Sequence, residues 1–271
     1  MDVDLHMHSR ASDGTATPSE VVAAALKGRL DLISLTDHDT VGGVEEAISA
    51  AQGHDLQIIP GLEVSTHWHG VEIHILGYFV DLNHQRLREH GVWAGDRRLR
   101  RMESMVARLR KLGIEVGMAD VETEAGASRK SLARPHLARA LVKLGYVTSV
   151  PEAFDRYLGD AQQVFEPAAL LSPEEGIDLI RASGGIAVWA HPPMDHLDAL
   201  LPKLVAEGLR GLEVFRPRNS PERVLQLEKR ATAAGLLVTG GSDWHGPEGG
   251  ELGRFRVSSE AVAEFLEQGG F

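Results

Sequence analysis

Short apolar runs alternate with longer stretches of helical period along most of the chain. Residues 3–8, 31–36, 56–65, 71–80, 185–190, 209–215 and 236–240 have the length and aliphatic content of buried strands, seven in all. Helix starts between them are well marked. Thr17-Pro18-Ser19-Glu20 supplies an N-cap, a proline in the first turn and a capping-box glutamate, and predicts a helix that runs to Lys27 and stops at Gly28. Ser172-Pro173-Glu174-Glu175 repeats the device, and Ser220-Pro221 gives the cap and proline without the glutamate. Strands alternating with helices predict a parallel sheet. This many units predict an α/β barrel, with an open doubly wound sheet as the alternative.

The rhythm breaks once. About 105 residues separate the fourth strand from the fifth, far more than an ordinary connection needs. Leu99, Met102, Val106, Leu109 and Leu112 recur at helical spacing, with Gly113 to stop that helix, and 132–144 and 151–158 read as shorter helices. Residues 97–165 are therefore expected to form a small helical insertion over the barrel mouth, the barrel itself comprising 1–96 and 166–271.

The 271 residues, 43% hydrophobic and 25% charged, suffice for one large core. No apolar run approaches the roughly 18 residues of a membrane span. The start, Met1-Asp2-Val3-Asp4, is acidic and unlike a signal peptide, so a cytoplasmic location is expected. With no cysteine, disulfides and thiolate metal sites are excluded. A net charge of −11 argues against a chain that coats nucleic acid, and stable duplex binding is not expected. The charge is uneven, however. Residues 86–145 carry 14 Lys and Arg against 7 Asp and Glu, a net +7 that leaves −18 on the remainder. The insertion is thus a basic part on an acidic body, suited to cover an anionic substrate.

Candidate chemistry gathers at the strand ends. His6 and His8 lie two apart on the first strand and project from one face, with Asp13 on the loop beyond. The second strand runs into Thr36-Asp37-His38-Asp39, the third carries Glu63, the fourth His74, the fifth leads to His191 and the seventh to Asp243 and His245. The C-terminal strand ends of a parallel barrel share one face, where these six imidazoles and three carboxylates would meet. His6, His8, Glu63 and Asp243 could hold one divalent ion, Asp13, His38 and His245 a second, and His74, His191 and a bridging Glu63 a third. Nitrogen and oxygen ligands without sulfur suit manganese, iron or zinc. Two ions roughly 4 Å apart clamp a hydroxide and stabilise both oxygens of an in-line displacement. Phosphoester hydrolysis most needs such a clamp, because its substrate repels an anionic nucleophile.

Asp4-Leu5-His6-Met7-His8-Ser9, Ser12-Asp13-Gly14, Thr36-Asp37-His38-Asp39, Gly61-Leu62-Glu63, His74, Ala190-His191-Pro192 and Ser242-Asp243-Trp244-His245 resemble, in order, the polymerase and histidinol phosphatase (PHP) superfamily. Within it the chain is most similar to the stand-alone TrpH-like phosphoesterases, including Leu132-Ala133-Arg134-Pro135-His136-Leu137-Ala138-Arg139 in the insertion. The resemblance implies a distorted seven-stranded barrel and three divalent ions per chain, manganese foremost, on the nine ligands named above. It also implies hydrolysis of the 3′-phosphate of nucleoside 3′,5′-bisphosphates, and removal of nucleotides from the 5′ end of short RNA by some members. A second substrate phosphate needs a cationic clamp away from the metals, and Arg134 and His136 are the candidates. Asp243 is the candidate to orient or deprotonate the attacking water. No acid for the leaving oxygen is assigned beyond His136 as a bare candidate.

Other residues carry weaker expectations. Asp37 and Asp39 would orient His38 or face solvent. Arg216 and Arg218, past the sixth strand, are within reach of a phosphate, and Trp244 is expected to pack. The basic run from Arg97 to Lys111 reads as a solvated helix face, and His67, His69, His84, His90 and His196 as surface residues. The alternatives are a phosphatase for a small monoester such as histidinol phosphate, whose cationic amine an arginine-rich lid would repel, and a non-catalytic metal-binding module, which a complete ligand set argues against. A polymerase-associated module lacks its polymerase here, and amide hydrolysis needs fewer metals. Protein partners are not indicated.

Overall fold

The computed structural model describes residues 1–126, 132–159, 162–166 and 170–271. Eight strands appear among them: β1 (Asp2–Met7), β2 (Leu32–Leu35), β3 (Gln57–Trp68), β4 (Val71–Tyr78), β5 (Ile186–Trp189), β6 (Gly211–Phe215), β7 (Leu237–Gly240) and β8 (Val257–Ser258). Around them lie α1 (Pro18–Lys27), α2 (Val44–Ala51), α3 (Gln85–Lys111), α4 (Met118–Ala125), α5 (Arg134–Lys143), α6 (Val150–Ala153), α7 (Pro173–Ala182), α8 (Met194–Ala206), α9 (Pro221–Ala233) and α10 (Ala263–Gln268). The strands form one sheet in the order β7-β6-β5-β4-β3-β2-β1-β8. All seven expected strands are present. The eighth, two residues long and antiparallel to β1, is too short to leave a periodic signal.

Capping places the helices as expected. Thr17 and Ser172 each accept from the backbone N–H three residues on and close a capping box, and Ser220 accepts from the Arg223 N–H. Gly28 ends α1 with an ordinary negative φ. A Cβ there would lie 2.4 Å from the Leu252 carbonyl oxygen, so close approach and not backbone conformation demands glycine.

The expectation of a wholly parallel sheet fails at β4 as well as at the short β8. The first part of β3 runs parallel to β2, but β4 is antiparallel to both β3 and β5. The reversal is made by His69 and Gly70, with φ of 46° and 90°, a two-residue hairpin turn of the type that matches strand twist. It matters for the site. On an antiparallel strand His74 reaches the rim carrying the other strands' C-terminal ends because it lies early in β4.

The sheet curls into a distorted barrel whose seam lies next to the candidate residues. Beyond β7 the chain pairs with the end of β1, with the Asp243 N–H donating to the His6 carbonyl and the His8 N–H to the Trp244 carbonyl, each at 2.8 Å. Val3, Leu5, Leu76, Tyr78, Val188 and Phe265 belong to one apolar cluster, and Tyr78 crosses it to donate to the Leu5 carbonyl. The helical segment has a separate cluster built on Met102, Met105, Leu109, Val121, Leu137 and Leu141. The division expected at residue 97 falls inside α3, whose Leu87 packs on the barrel while Met102 packs in the helical cluster. Arg129 and Lys130, counted in the basic window, lie outside the described residues. Among the described residues no helix is long and apolar enough to cross a membrane.

Gly241 at the seam has no room for a side chain, since a Cβ would lie 2.4 Å from both the backbone nitrogen and the Cβ of His6. Gly241→Ala is expected to cost about 1–3 kcal/mol by overpacking, measured as a lowered urea midpoint with an unchanged m-value.

Candidate metal centre

At the rim the six imidazoles and three carboxylates come together. Glu63 is their centre: one of its carboxylate oxygens lies 3.0 Å from both His74 Nδ1 and His191 Nε2, and the other lies 3.2–3.4 Å from His38 Nδ1, His8 Nε2 and His6 Nε2. Asp243 Oδ1 is 3.5 Å from His6 Nε2 and 3.3 Å from His8 Nε2. Asp13 is 3.4 Å from His245 Nε2, 3.8 Å from His8 Nδ1 and 3.9 Å from His38 Nε2. His6, His8 and Glu63 are fully or almost fully buried.

Among the described residues three groups of donor atoms lie close enough together to hold a divalent cation: His8, Asp13, His38 and His245; His6, His8 and Asp243; and His38, Glu63 and His74. Two observations show that a cation fits. His6 Nε2 faces His8 Nε2, and His74 Nδ1 faces His191 Nε2, each across 3.2 Å. In addition His8 Nδ1, His38 Nδ1 and Glu63 Oε2 are buried without a hydrogen-bond partner, which is costly unless another group engages them. Electrostatics agree. Burial pushes His38 down to about 3, so its imidazole is neutral and available as a ligand. Against burial, Glu63 raises His74 to about 10 and Asp13 raises His245 to about 10. Burial opposes the charge on Asp13, yet the facing imidazoles of His245 and His38 hold its carboxyl well below the usual range.

The supporting contacts were the part that reading along the chain missed. Glu213, on β6 and fully buried, takes His6 Nδ1 at 2.8 Å and the His191 N–H at 2.7 Å, and lies 3.3 Å from Arg216. This fixes the His6 ring with Nε2 toward the cluster. Alternation along β6 offered a faint signal, a lone glutamate inside Gly211-Leu212-Glu213-Val214-Phe215. Glu72 does the same for His74 Nε2 at 3.3 Å. Asp4, whose carboxyl burial raises to about 6, accepts from the Ser242 N–H just before Asp243. Asp37 accepts from Ser9 and Ser12, fixing the loop that carries Asp13; it does not orient His38.

Asp39, His191 and Asp243 have φ of 58°, 31° and 57°, a conformation costly for residues other than glycine. In each, the strained residue's own N–H is held from outside, by the carbonyl of Glu63, by Glu213 and by the carbonyl of His6 respectively.

Two expectations are corrected here. His90 is buried, not a surface residue, and lies 3.1 Å from Asp39. The Arg97–Lys111 run is not uniformly solvated: Arg98, only 6% exposed, donates to Asp39 and to Ser65, holding the segments that carry His38 and Glu63. Burial opposes the Asp39 charge, but Arg98 and His90 hold its carboxyl far below the usual range. Arg101 and Arg108 bind backbone carbonyls of Glu166 and Phe165.

Arg134, at the start of α5, lies 3.3 Å from Glu72 and over the rings of Phe154 and Phe165. His136 is fully buried, and its Nδ1 accepts from the Ala133 N–H as a helix cap. Arg216 contacts Asp243 at 2.6 Å. Arg218 is exposed, and Trp244 packs with its indole N–H on the Gly250 carbonyl. His69 is exposed, while His67, His84 and His196 are half-buried.

The PHP domain model matches residues 4–127. A 5′-3′ exoribonuclease Rnm from Escherichia coli is 36% identical over 252 residues, covering 90% of this chain and 85% of the relative. The chain belongs to the PHP domain family. Another relative, a 3′,5′-nucleoside bisphosphate phosphatase from Chromobacterium violaceum, is 34% identical over 93% of this chain and 90% of its own. Among solved structures, one described as an amidohydrolase from Chromobacterium violaceum, with bound sulfate and no metal, superimposes with a TM-score of 0.88 at 31% identity, covering 95% of this chain and 92% of that one. One from Bifidobacterium adolescentis, provisionally described as a metal-dependent phosphoesterase, gives 0.88 at 32% identity over 98% and 96% of the two chains.

Arg98→Ala leaves Asp39 charged, buried and short of its main partner, and should cost about 3–5 kcal/mol in denaturant unfolding. Glu213→Gln keeps the shape but loses the charge behind His6, and should weaken divalent-ion binding by about 10–100-fold in a calorimetric titration.

Proposed function

We propose that this chain is a metal-dependent phosphoesterase that hydrolyses the 3′-phosphate of nucleoside 3′,5′-bisphosphates and acts on the 5′ end of short RNA. The observation that carries the reading is the buried Glu63 carboxylate within 3.4 Å of five imidazoles, with Asp13 and Asp243 completing the nest. The names of the curated relatives, a bisphosphate phosphatase and a 5′-3′ exoribonuclease, support it. Three ions, manganese foremost, are held in this reading by His6, His8, Glu63 and Asp243, by Asp13, His38 and His245, and by His74, His191 and Glu63. When bound, such ions supply a nucleophile at neutral pH and neutralise the phosphate oxygens.

The chain's own residues do the rest. Glu213 and Glu72 hold His6 and His74 in register, so these two imidazoles need not reorient as substrate arrives. Asp243, at the rim and a quarter exposed, is the carboxylate placed to orient the attacking water. Arg134 provides the clamp for the substrate's other phosphate, its planar guanidinium already set by Glu72 and two aromatic rings. His136 fixes the start of α5 and thereby the direction of Arg134.

With manganese, phosphate should be released from adenosine 3′,5′-bisphosphate far faster than from the 5′-monophosphate or histidinol phosphate, and EDTA should abolish it. Preference for histidinol phosphate would overturn the substrate assignment. Glu63→Gln should lose roughly 100-fold or more in turnover together with bound metal, read by elemental analysis. Arg134→Ala should raise KM for the bisphosphate by about tenfold, the worth of one charge-assisted hydrogen bond; kinetics matching wild type would remove Arg134 from the clamp.

A further inference from the structure

Three ways lead out of the nest, and charge separates them. Beside β4 stands Arg134, engaged with Glu72. Past His38 a cavity of about 970 Å³ runs along α3, and among the described residues its charged lining beyond the paired Asp39 is Glu45, Asp96 and Glu122 with Arg88. The third way opens beyond Asp243 and His245 into a cavity of about 790 Å³, lined by Arg139, Arg216, Arg218 and Arg254, with Glu248 and Glu251 as its other acids. Arg216 is held by Asp243 and Glu213, and Glu251 faces Lys27. Arg139 makes one long contact to the Asp13 carbonyl. Arg218 and Arg254 are exposed on this wall, and the half-buried Phe255 lies beside them.

We propose that this cavity beyond Asp243 and His245 holds the RNA that follows the scissile phosphate. The proposal rests on the phosphoesterase reading and deepens it. In both substrates the oxygen of water bonds to phosphorus, the bond from phosphorus to the 3′ oxygen of the first nucleoside breaks, and that oxygen takes a proton. In a bisphosphate the departing phosphate carries nothing more. In RNA it remains on the 5′ oxygen of the next nucleotide, which leaves the phosphorus in a different direction from the first nucleoside and its Arg134 clamp. A volume of this size accommodates a nucleotide, and exposed guanidinium groups with a neighbouring ring are what a single strand's phosphates and bases engage.

The test compares the manganese-loaded protein with an Arg218→Glu/Arg254→Glu variant on adenosine 3′,5′-bisphosphate and on a short 5′-phosphorylated oligoribonucleotide. The ratio of RNA to bisphosphate turnover should fall by about tenfold or more. In EDTA, fluorescence anisotropy should show weaker oligonucleotide binding, with a log–log salt slope smaller by about 1.4, as for two lost phosphate contacts on a single strand. An unchanged ratio, with both activities falling together or neither falling, overturns the proposal. If the wild type hydrolyses neither substrate, the phosphoesterase reading fails, and the metal-free measurement decides the cavity: weaker binding by the variant supports it and equal binding overturns it.

Discussion

A single buried carboxylate governs the rest of the structure. Glu63 lies almost wholly out of solvent with the imidazoles of His6, His8, His38, His74 and His191 around it. Burying so many ionisable groups is unfavourable unless their charges balance. Protons supply that balance in part, with His74 and His245 raised to about 10 by their carboxylates while burial leaves His38 neutral. Divalent ions would supply it more completely and displace those protons, so metal binding is linked both to protonation and to the stability of the rim.

The rim is stiffened accordingly. Each of the three left-handed residues bordering the nest has its N–H bonded from outside, two of them to the backbone of another ligand. The barrel's closing hydrogen bonds run through His6, His8, Asp243 and Trp244. Closing the seam and bringing His6, His8 and Asp243 together are consequently linked. The strain at Asp243 is held by the same bond that closes the seam.

The helical segment is tied to this rim by charge as well as by packing. Arg98 and His90 descend from α3 onto Asp39, beside His38, and Arg98 also reaches Ser65, two residues past Glu63. A buried pair of this kind adds little net stability compared with an apolar filling, but it is intolerant of losing one partner. It fixes how α3 stands over the barrel, and with it where Arg134 is presented. The basic residues of the segment are thus not all alike: Arg98 braces the architecture, and Arg139 lines the cavity beyond Asp243 and His245.

Much was legible along the chain because it depends on neighbours in sequence. The capping boxes at Thr17 and Ser172, the apolar runs and the positions of His6, His8, His38, His191 and Asp243 at strand ends follow from local hydrogen bonding and the two-residue period of a strand. Even the β3–β4 hairpin had a local sign, the two-residue His69-Gly70 turn, that alternating apolar runs alone do not reveal. Which carboxylate stands behind which imidazole was decided only by the tertiary structure. Glu213 and His6 are 207 residues apart, and Arg98 and Asp39 are 59 apart. Beyond the faint signal of a lone glutamate within the apolar β6 run, nothing local distinguishes a buried glutamate or arginine from a solvated one. Burial is set by what the folded chain lays against a residue, and the charge it must balance arrives from distant strands.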